Sequence, residues 1–491
     1  MNRCSGILMH ISSLPSPYGI GTMGKEAYHF VDFLAATGTK IWQVLPIGPT
    51  SYGDSPYQSF STFAGNPYFI DLDMLKNEGI LSEADYSHLE ADKNNQYIDY
   101  EYLYHTRHAV LRAAFKRSYA GLKNNVDDFV SNTTWLFDYA FFSALKDMFG
   151  GKAWSEWPDD AIRFRQPDAM GRYAAALSEE IAFHSFVQYL FFKQWYALKE
   201  YANINGISIF GDMPIYVAMD SADTWAEPHL FELNGQRRPK CVAGVPPDYF
   251  TQDGQRWGNP IYNWRTHKKT GYQWWVRRMR AMFDYYDIMR VDHFIGFANY
   301  YAIPADAPTA RKGKWRNGPG RGLFEVLGRE IPSMSIVAED LGAVTPKVKR
   351  LLKVCGYPGM KVLLFAFDSD MKNMHLPHNL AHNTALYTGT HDNDTAIGWW
   401  SKATEAQRQF ATEYLKIGEG TDICGALIDA SFGSDADTAI IPIQDFLRLG
   451  NDARMNTPGT VGLNWKWRML PGQLTEALKD EILCLNKKHG R

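Results

Sequence analysis

The stretch DIMRVDH at residues 287–293 constrains the fold of this chain more than any other. Ile288, Met289 and Val291 read as a buried strand, and Arg290 and Asp292 stand two apart near its end. Alternate residues of a strand share a face. An arginine and an aspartate therefore project together from one end of an otherwise apolar strand. Burying such charges costs several kcal/mol per ion before their attraction offsets it. Taken alone, a structural ion pair accounts for this. Two other predicted strands, however, also end in carboxylates, at Glu339 and Asp392.

Seven further segments read as strands: residues 5–12 (SGILMHIS), 40–46 (KIWQVLP), 207–212 (ISIFGD), 335–340 (SIVAED), 361–367 (KVLLFAF), 385–391 (ALYTGTH) and 438–442 (TAIIP). Helical spacing separates most of them. Ala27, Phe30, Val31, Leu34 and Ala35 lie on one helix face, with Gly38 as a stop. Residues 178–205 form a long helical pattern closed by Gly206, and Thr345-Pro346 supplies a cap with proline at the first helical position. Strands alternating with helices indicate a parallel sheet. Eight such strands indicate an α/β chain folded as a (β/α)8 TIM barrel with inserted helical and loop subdomains. A doubly wound open sheet is the alternative, because no helical pattern stands between the sixth and seventh strands.

The expected organisation is as follows. Residues 1–72 hold the first two barrel strands and an aromatic loop, and residues 73–177 form a helical insertion. Residues 178–212 add a helix and the third strand, residues 213–268 a loop-rich insertion over the site, and residues 269–491 the last five strands. The loop at 51–72, with six aromatics among Ser, Gly, Pro and Asn, is too long to be an idle connection.

Composition excludes several classes. A net charge of −3 argues against nucleic acid or a membrane surface as partner. Five cysteines without a CxxC pair argue against a disulfide framework or a zinc site and fit a reducing cytoplasm. The first residues lack the pattern of a signal peptide, and no apolar run approaches the ~18–20 residues of a membrane span. Aromatic residues make up 14% of the chain. Most belong to the core, yet flat rings also stack on sugars.

In (β/α)8 barrels the site lies at the C-terminal ends of the strands. Read there, the chain offers Asp212, Arg290 with Asp292, Glu339 with Asp340, and His391 with Asp392. Converging carboxylates suit glycoside cleavage, which needs a nucleophile and an acid, or a divalent metal, for which Asp292-His293 and His391-Asp392 are candidate ligands. The arginine beside Asp292 favours the first. It keeps a nucleophilic carboxylate ionised and repels a metal, so no metal and no cofactor are expected.

Several segments closely resemble the amylomaltase, or 4-α-glucanotransferase (disproportionating enzyme), family, a relative of the α-amylases. They are YGDSPYQSFSTFAGNPY at 52–68, FGDMPIYVAMDSADTW at 210–225, AGVPPDYF at 243–250, GQRWGNP at 254–260, RVDHF at 290–294, VAEDLG at 337–342, PGMKVLLFAF at 358–367, TGTHDNDT at 388–395 and NWKWRML at 464–470. They run in order along essentially the whole chain. The resemblance implies a (β/α)8 barrel and a retaining mechanism, with Asp292 as nucleophile, Glu339 as general acid/base and Asp392 as transition-state stabiliser. It implies maltooligosaccharides, starch- or glycogen-derived α-1,4-glucans and glucose as partners. Asp212, Arg290 and His391 would shape the subsite of the transferred glucose. Tyr57, Phe250, Trp257 and Asn464 are the candidates for enclosing it against water. Retention predicts the Asp292 and Glu339 carboxyls ~5–5.5 Å apart. The chain departs from the family pattern at Ile295, where many members carry arginine, and at Met219, where an acidic residue is common. Both departures bear on subsite affinity or acceptor choice. A hydrolase using the same carboxylates, a non-catalytic sugar-binding relative and a metal-dependent hydrolase are the competing readings.

Overall fold

The computed structural model describes residues 3–89, 95–247, 252–342, 344–418 and 420–491. Eight parallel strands close a barrel: β1 Cys4–Leu8, β2 Ile41–Gln43, β3 Ser208–Met213, β4 Ile288–Val291, β5 Ile336–Ala338, β6 Gly359–Val362, β7 Thr384–Tyr387 and β8 Thr438–Pro442. Each pairs with its neighbours in chain order, and β1 pairs with β8 from Cys4↔Thr438 to Leu8↔Pro442. The strands are buried on both faces, as parallel strands covered by helices must be. The expected (β/α)8 barrel is therefore the fold of the chain, and the open-sheet alternative falls with the β1–β8 pairing.

Strand boundaries shift where side chains take over backbone partners. The apolar run 361–367 leaves the barrel early: β6 ends at Val362 and residues Leu363–Phe365 form a 3-10 turn. The Val362 amide donates to Nδ1 of His375 at 3.0 Å, and Leu363 and Leu364 pack into a separate apolar cluster. Periodicity cannot separate a buried strand from such a turn. Between β6 and β7 only the 3-10 turns Leu363–Phe365 and Pro377–Asn379 occur among the described residues, so this unit lacks its crossover helix.

Between β2 and β3 stand the helices Tyr100–Asn132, Leu136–Met148, Pro167–Ala176 and Ser178–Ile204. Asp99 caps the first of them by accepting the Tyr102 amide at 3.0 Å. The connection from β3 to β4 contains strands Cys241–Val245 and Gln255–Pro260 rather than loop alone. With Asn299–Pro304 and Lys314–Asn317 from the next connection they form a four-stranded antiparallel sheet. Its members come from two different connections, which no local pattern links. Among the described residues no helix is long and apolar enough to cross a membrane.

Candidate active site

The site is assembled where β3, β4, β5 and β7 end. Asp212 on β3 and Arg290 on β4 are register partners in the parallel ladder, so both side chains enter the barrel mouth. Arg290 donates from Nη1 to Asp212 Oδ2 at 2.6 Å and from Nη2 to Asp292 Oδ1 at 2.7 Å. The i, i+2 placement of Arg290 and Asp292 thus produces the pair read from the sequence, and the cross-strand partner Asp212 makes it a triad. The Arg290 and Asp212 side chains are 4% and 0% exposed, whereas Asp292 keeps 28% and faces the cleft. Burial pushes the Asp212 carboxyl up against the opposing pull of Arg290.

Glu339 follows the last residue of β5. The peptide N–H of His293, the residue after Asp292, donates to Glu339 Oε2 at 2.8 Å, and the Leu341 N–H donates to Oε1 at 2.6 Å. His293 reaches this geometry in the left-handed region, at φ 50°, a conformation uncommon for a residue with a Cβ. Burial first, and the charge of Asp292 second, push Glu339 up to about 8 against the two amides and Arg290. Asp340 turns the other way. It accepts the Met360 N–H at 2.8 Å and meets Lys361 Nζ at 3.4 Å, tying β5 to β6.

The third cluster lies four residues beyond β7. The strand ends at Tyr387 rather than at His391 because side chains capture the backbone of the next turn. The Thr388 hydroxyl donates to Asp445 Oδ2 at 2.6 Å, the Ala396 amide to Asp445 Oδ1 at 2.8 Å, and the Thr390 amide to Asn393 Oδ1 at 2.8 Å. Asp392 Oδ1 accepts the Asn456 amide at 2.6 Å and lies 3.4 Å from His391 Nε2. Arg454 clamps the same turn by donating to the Asp392 carbonyl at 2.6 Å. The His391 ring stacks on Tyr57, with centroids 5.1 Å apart and planes 19° apart. The Tyr57 hydroxyl donates to Asp212 Oδ2 at 2.8 Å. Burial and the charges of Asp212, Asp292 and Asp392 hold Tyr57 well above the ordinary tyrosine range, so it stays a donor.

The structure therefore brings Tyr57, Asp212, Arg290, Asp292, Glu339, His391 and Asp392 into one cleft. Trp257, on strand Gln255–Pro260, reaches it through an edge contact with His293 at 4.9 Å, and its indole donates to Gln255 Oε1 at 3.0 Å. Asn464 is placed differently. Its amide oxygen accepts the Thr457 N–H at 3.0 Å and its nitrogen donates to the Thr460 carbonyl at 2.9 Å, so it folds its own loop. Phe250 lies outside the described residues. Sequence reasoning missed Asn456 and Arg454, which hold Asp392 from 64 and 62 residues away. It also missed the His293 peptide, since nothing in a backbone amide marks it in advance.

The sequence profile of the 4-alpha-glucanotransferase family matches residues 9–475. A 4-alpha-glucanotransferase of Streptococcus pneumoniae is 46% identical over 492 residues, covering 100% of this chain and 97% of that protein. One from Thermus thermophilus is 46% identical over 489 residues, covering 96% of each. Among solved structures, an amylomaltase of Streptococcus agalactiae in complex with acarbose superposes with a TM-score of 0.97 at 43% identity, covering 100% of this chain and 99% of that one. An amylomaltase of Corynebacterium glutamicum shares the fold at 19% identity, with a TM-score of 0.82 over 98% of this chain and 75% of that one. On the fold, the gathered residues and this full-length similarity, the chain belongs to the 4-alpha-glucanotransferase family.

Proposed function

We propose that the chain is a retaining transglycosylase that moves an α-1,4-glucan segment from a donor maltooligosaccharide to the 4-hydroxyl of glucose or another glucan. The observation that carries this reading is the electrostatic division of two carboxylates. Arg290 pairs with Asp292 at 2.7 Å, while burial holds Glu339 protonated up to about 8. One group is equipped as nucleophile and the other as acid, the arrangement that retaining cleavage requires.

Asp292 attacks C1 of the bound glucosyl unit as the C1–O4 bond to the leaving chain breaks. Glu339 gives its proton to that oxygen. Asp392 stabilises the positive charge that develops on the sugar in the transition state, and Arg290 holds Asp292 ionised and in place beneath it. In the second half Glu339, now a carboxylate, takes the proton of an acceptor 4-hydroxyl. The acceptor oxygen bonds to C1 and Asp292 departs, so the anomeric configuration is retained. Trp257 and Tyr57 exclude water while the ester waits. Acarbose, the ligand of the Streptococcus agalactiae relative, is expected to bind this chain in the cleft that holds Asp292 and Glu339.

Incubation with maltotriose and chromatography over time test the transfer. Longer maltooligosaccharides together with free glucose are expected; maltose and glucose alone would make water the acceptor. The covalent step is tested with an α-maltosyl fluoride donor, whose leaving group needs no proton. On Glu339→Gln it is expected to accumulate a maltosyl ester on Asp292, read by peptide mass. An unlabelled Asp292 under turnover of the fluoride would remove the nucleophile assignment.

A further inference from the structure

The helical insertion between β2 and β3 gathers side chains that the cleft does not use. Helix Tyr100–Asn132 supplies His108 and Arg112, helix Leu136–Met148 supplies Asp147, and helix Ser178–Ile204 supplies Glu180 and His184. On the first and last of these helices the members stand four residues apart and share a face. Asp147, Glu180 and His184 hold their ligand atoms within 4.8 Å of one another. His184 Nε2 lies 2.9 Å from Asp147 Oδ2, and His108 Nε2 lies 4.0 Å from the same oxygen. Two imidazoles therefore turn the same ring nitrogen toward one carboxylate oxygen.

A hydrogen bond accounts for His184 and leaves His108 out of reach. A tetrahedral Zn²⁺ with bonds of ~2.0–2.1 Å spaces its ligand atoms about 3.3–3.4 Å apart, and the two separations bracket that spacing. The rings are also backed. Phe183, 1% exposed, meets both His108 and His184 edge-on at 5.1 Å and lies under the Arg112 guanidinium at 3.6 Å. Burial lowers the pKa of His108, which leaves its ring neutral with a lone pair to give. Arg112 grips Glu180 through both carboxylate oxygens, donating from Nη1 to Oε1 at 3.0 Å. A carboxylate offers about four acceptor sites, so Glu180 can hold Arg112 and still face a cation. Two carboxylates against one guanidinium favour positive charge at this point. Imidazole with carboxylate suits zinc and its first-row neighbours rather than magnesium or calcium.

We propose that His108, Asp147, Glu180 and His184 form a binding site for a divalent transition-metal cation of the zinc type, which clasps three helices of the insertion. The ligands are not cysteines, and His184 stands 37 residues beyond Asp147, so neither a cysteine count nor a local motif marks the site. A cation bound there stabilises the folded chain by mass action, because the unfolded chain does not hold these ligands together. It also fixes the end of helix Leu136–Met148. Lys146, beside Asp147, donates to Asp220 Oδ2 at 2.5 Å and so braces the loop after β3.

The test uses the full chain without a histidine tag, dialysed against chelator. Zn²⁺ is titrated calorimetrically into the parent, His184→Ala and His108→Ala, with His105→Ala as the control. The parent and the control are expected to bind one equivalent that raises Tm. Each of the other two variants is expected to lose that equivalent or weaken it at least tenfold and to lose the rise in Tm. Co²⁺ in place of Zn²⁺ is expected to give tetrahedral visible absorption in the parent and none in His184→Ala. His108 is half exposed, so its truncation keeps the fold and provides a readout even where His184→Ala unfolds. A parent that binds no Zn²⁺ would overturn the site. So would an equivalent that persists at full affinity in His108→Ala and His184→Ala, as one bound in the cleft would.

Discussion

Arg290 is shared between two carboxylates, and its two ends do different things. Toward Asp212 it neutralises a fully buried charge; toward Asp292 it faces a carboxylate that is 28% exposed in the cleft. Replacing it by methionine leaves both anions unpaired, and breaking such buried pairs costs ~3–5 kcal/mol. Arg290→Met is therefore expected to lose that much in urea unfolding together with all measurable transfer; a variant as stable as the parent would mean the triad is not held by charge. Glu339 has the opposite problem. Its folded value of about 8 lies above the ordinary 4.5, so between those values the folded state binds an extra proton. Stability then falls as pH rises, from near pH 4.5 to near pH 8. The parent is expected to lose more stability between pH 5 and pH 8 than Glu339→Gln does. Activity needs the protonated form, so kcat/KM is expected to fall with one proton as pH rises through about 8. General acid catalysis contributes about 10²–10⁴-fold, the loss expected for Glu339→Gln on maltotriose. A flat alkaline limb would show that Glu339 is not the acid.

At the scale of elements, three segments outside the barrel make the site usable. The turn after β7 is held by Asp445 below and by Arg454 and Asn456 above. Asn456→Ala removes the donor to Asp392 Oδ1 without touching the sugar. It is expected to lower kcat roughly tenfold, equivalent to ~1.4 kcal/mol, with little change in KM; a change confined to KM would assign Asn456 to binding instead. The antiparallel sheet carries Trp257 and the loop after β2 carries Tyr57, and the two are joined where Gln58 donates to Asn259 Oδ1 at 3.0 Å. Trp257→Ala removes a ring from the mouth of the cleft. The ratio of hydrolysis to transfer is expected to rise, because water then reaches the ester; an unchanged ratio in a folded variant would count against shielding by this side chain.

At the scale of the whole molecule, the two ends of the barrel divide the work. The seam between β1 and the C-terminal helix Glu476–His489 is fastened far from the chemistry, where Ser5 donates to Asn486 Oδ1 at 2.6 Å and Asn486 donates to the Thr37 carbonyl at 2.8 Å. Asn486→Ala strands a buried donor and acceptor, at a cost of ~1–3 kcal/mol each. Tm is expected to drop while kcat on maltotriose stays unchanged; a drop in kcat at equal folded fraction would couple the seam to the site. What the sequence by itself determined was whatever rests on short range or on unbroken motifs. The strand–helix alternation implies the barrel, the i, i+2 spacing pairs Arg290 with Asp292, and the long motifs carry the family resemblance. The tertiary structure alone decided what depends on register and on remote contacts. Asp212 meets Arg290 across 78 residues only because β3 and β4 pair in that register. Asn456 meets Asp392, the four-stranded sheet forms from two separate connections, and Asn464 spends its amide on its own loop. The physical reason is range. Propensity and periodicity act over a few residues, whereas these contacts are made by the closure of the barrel and exist only after it.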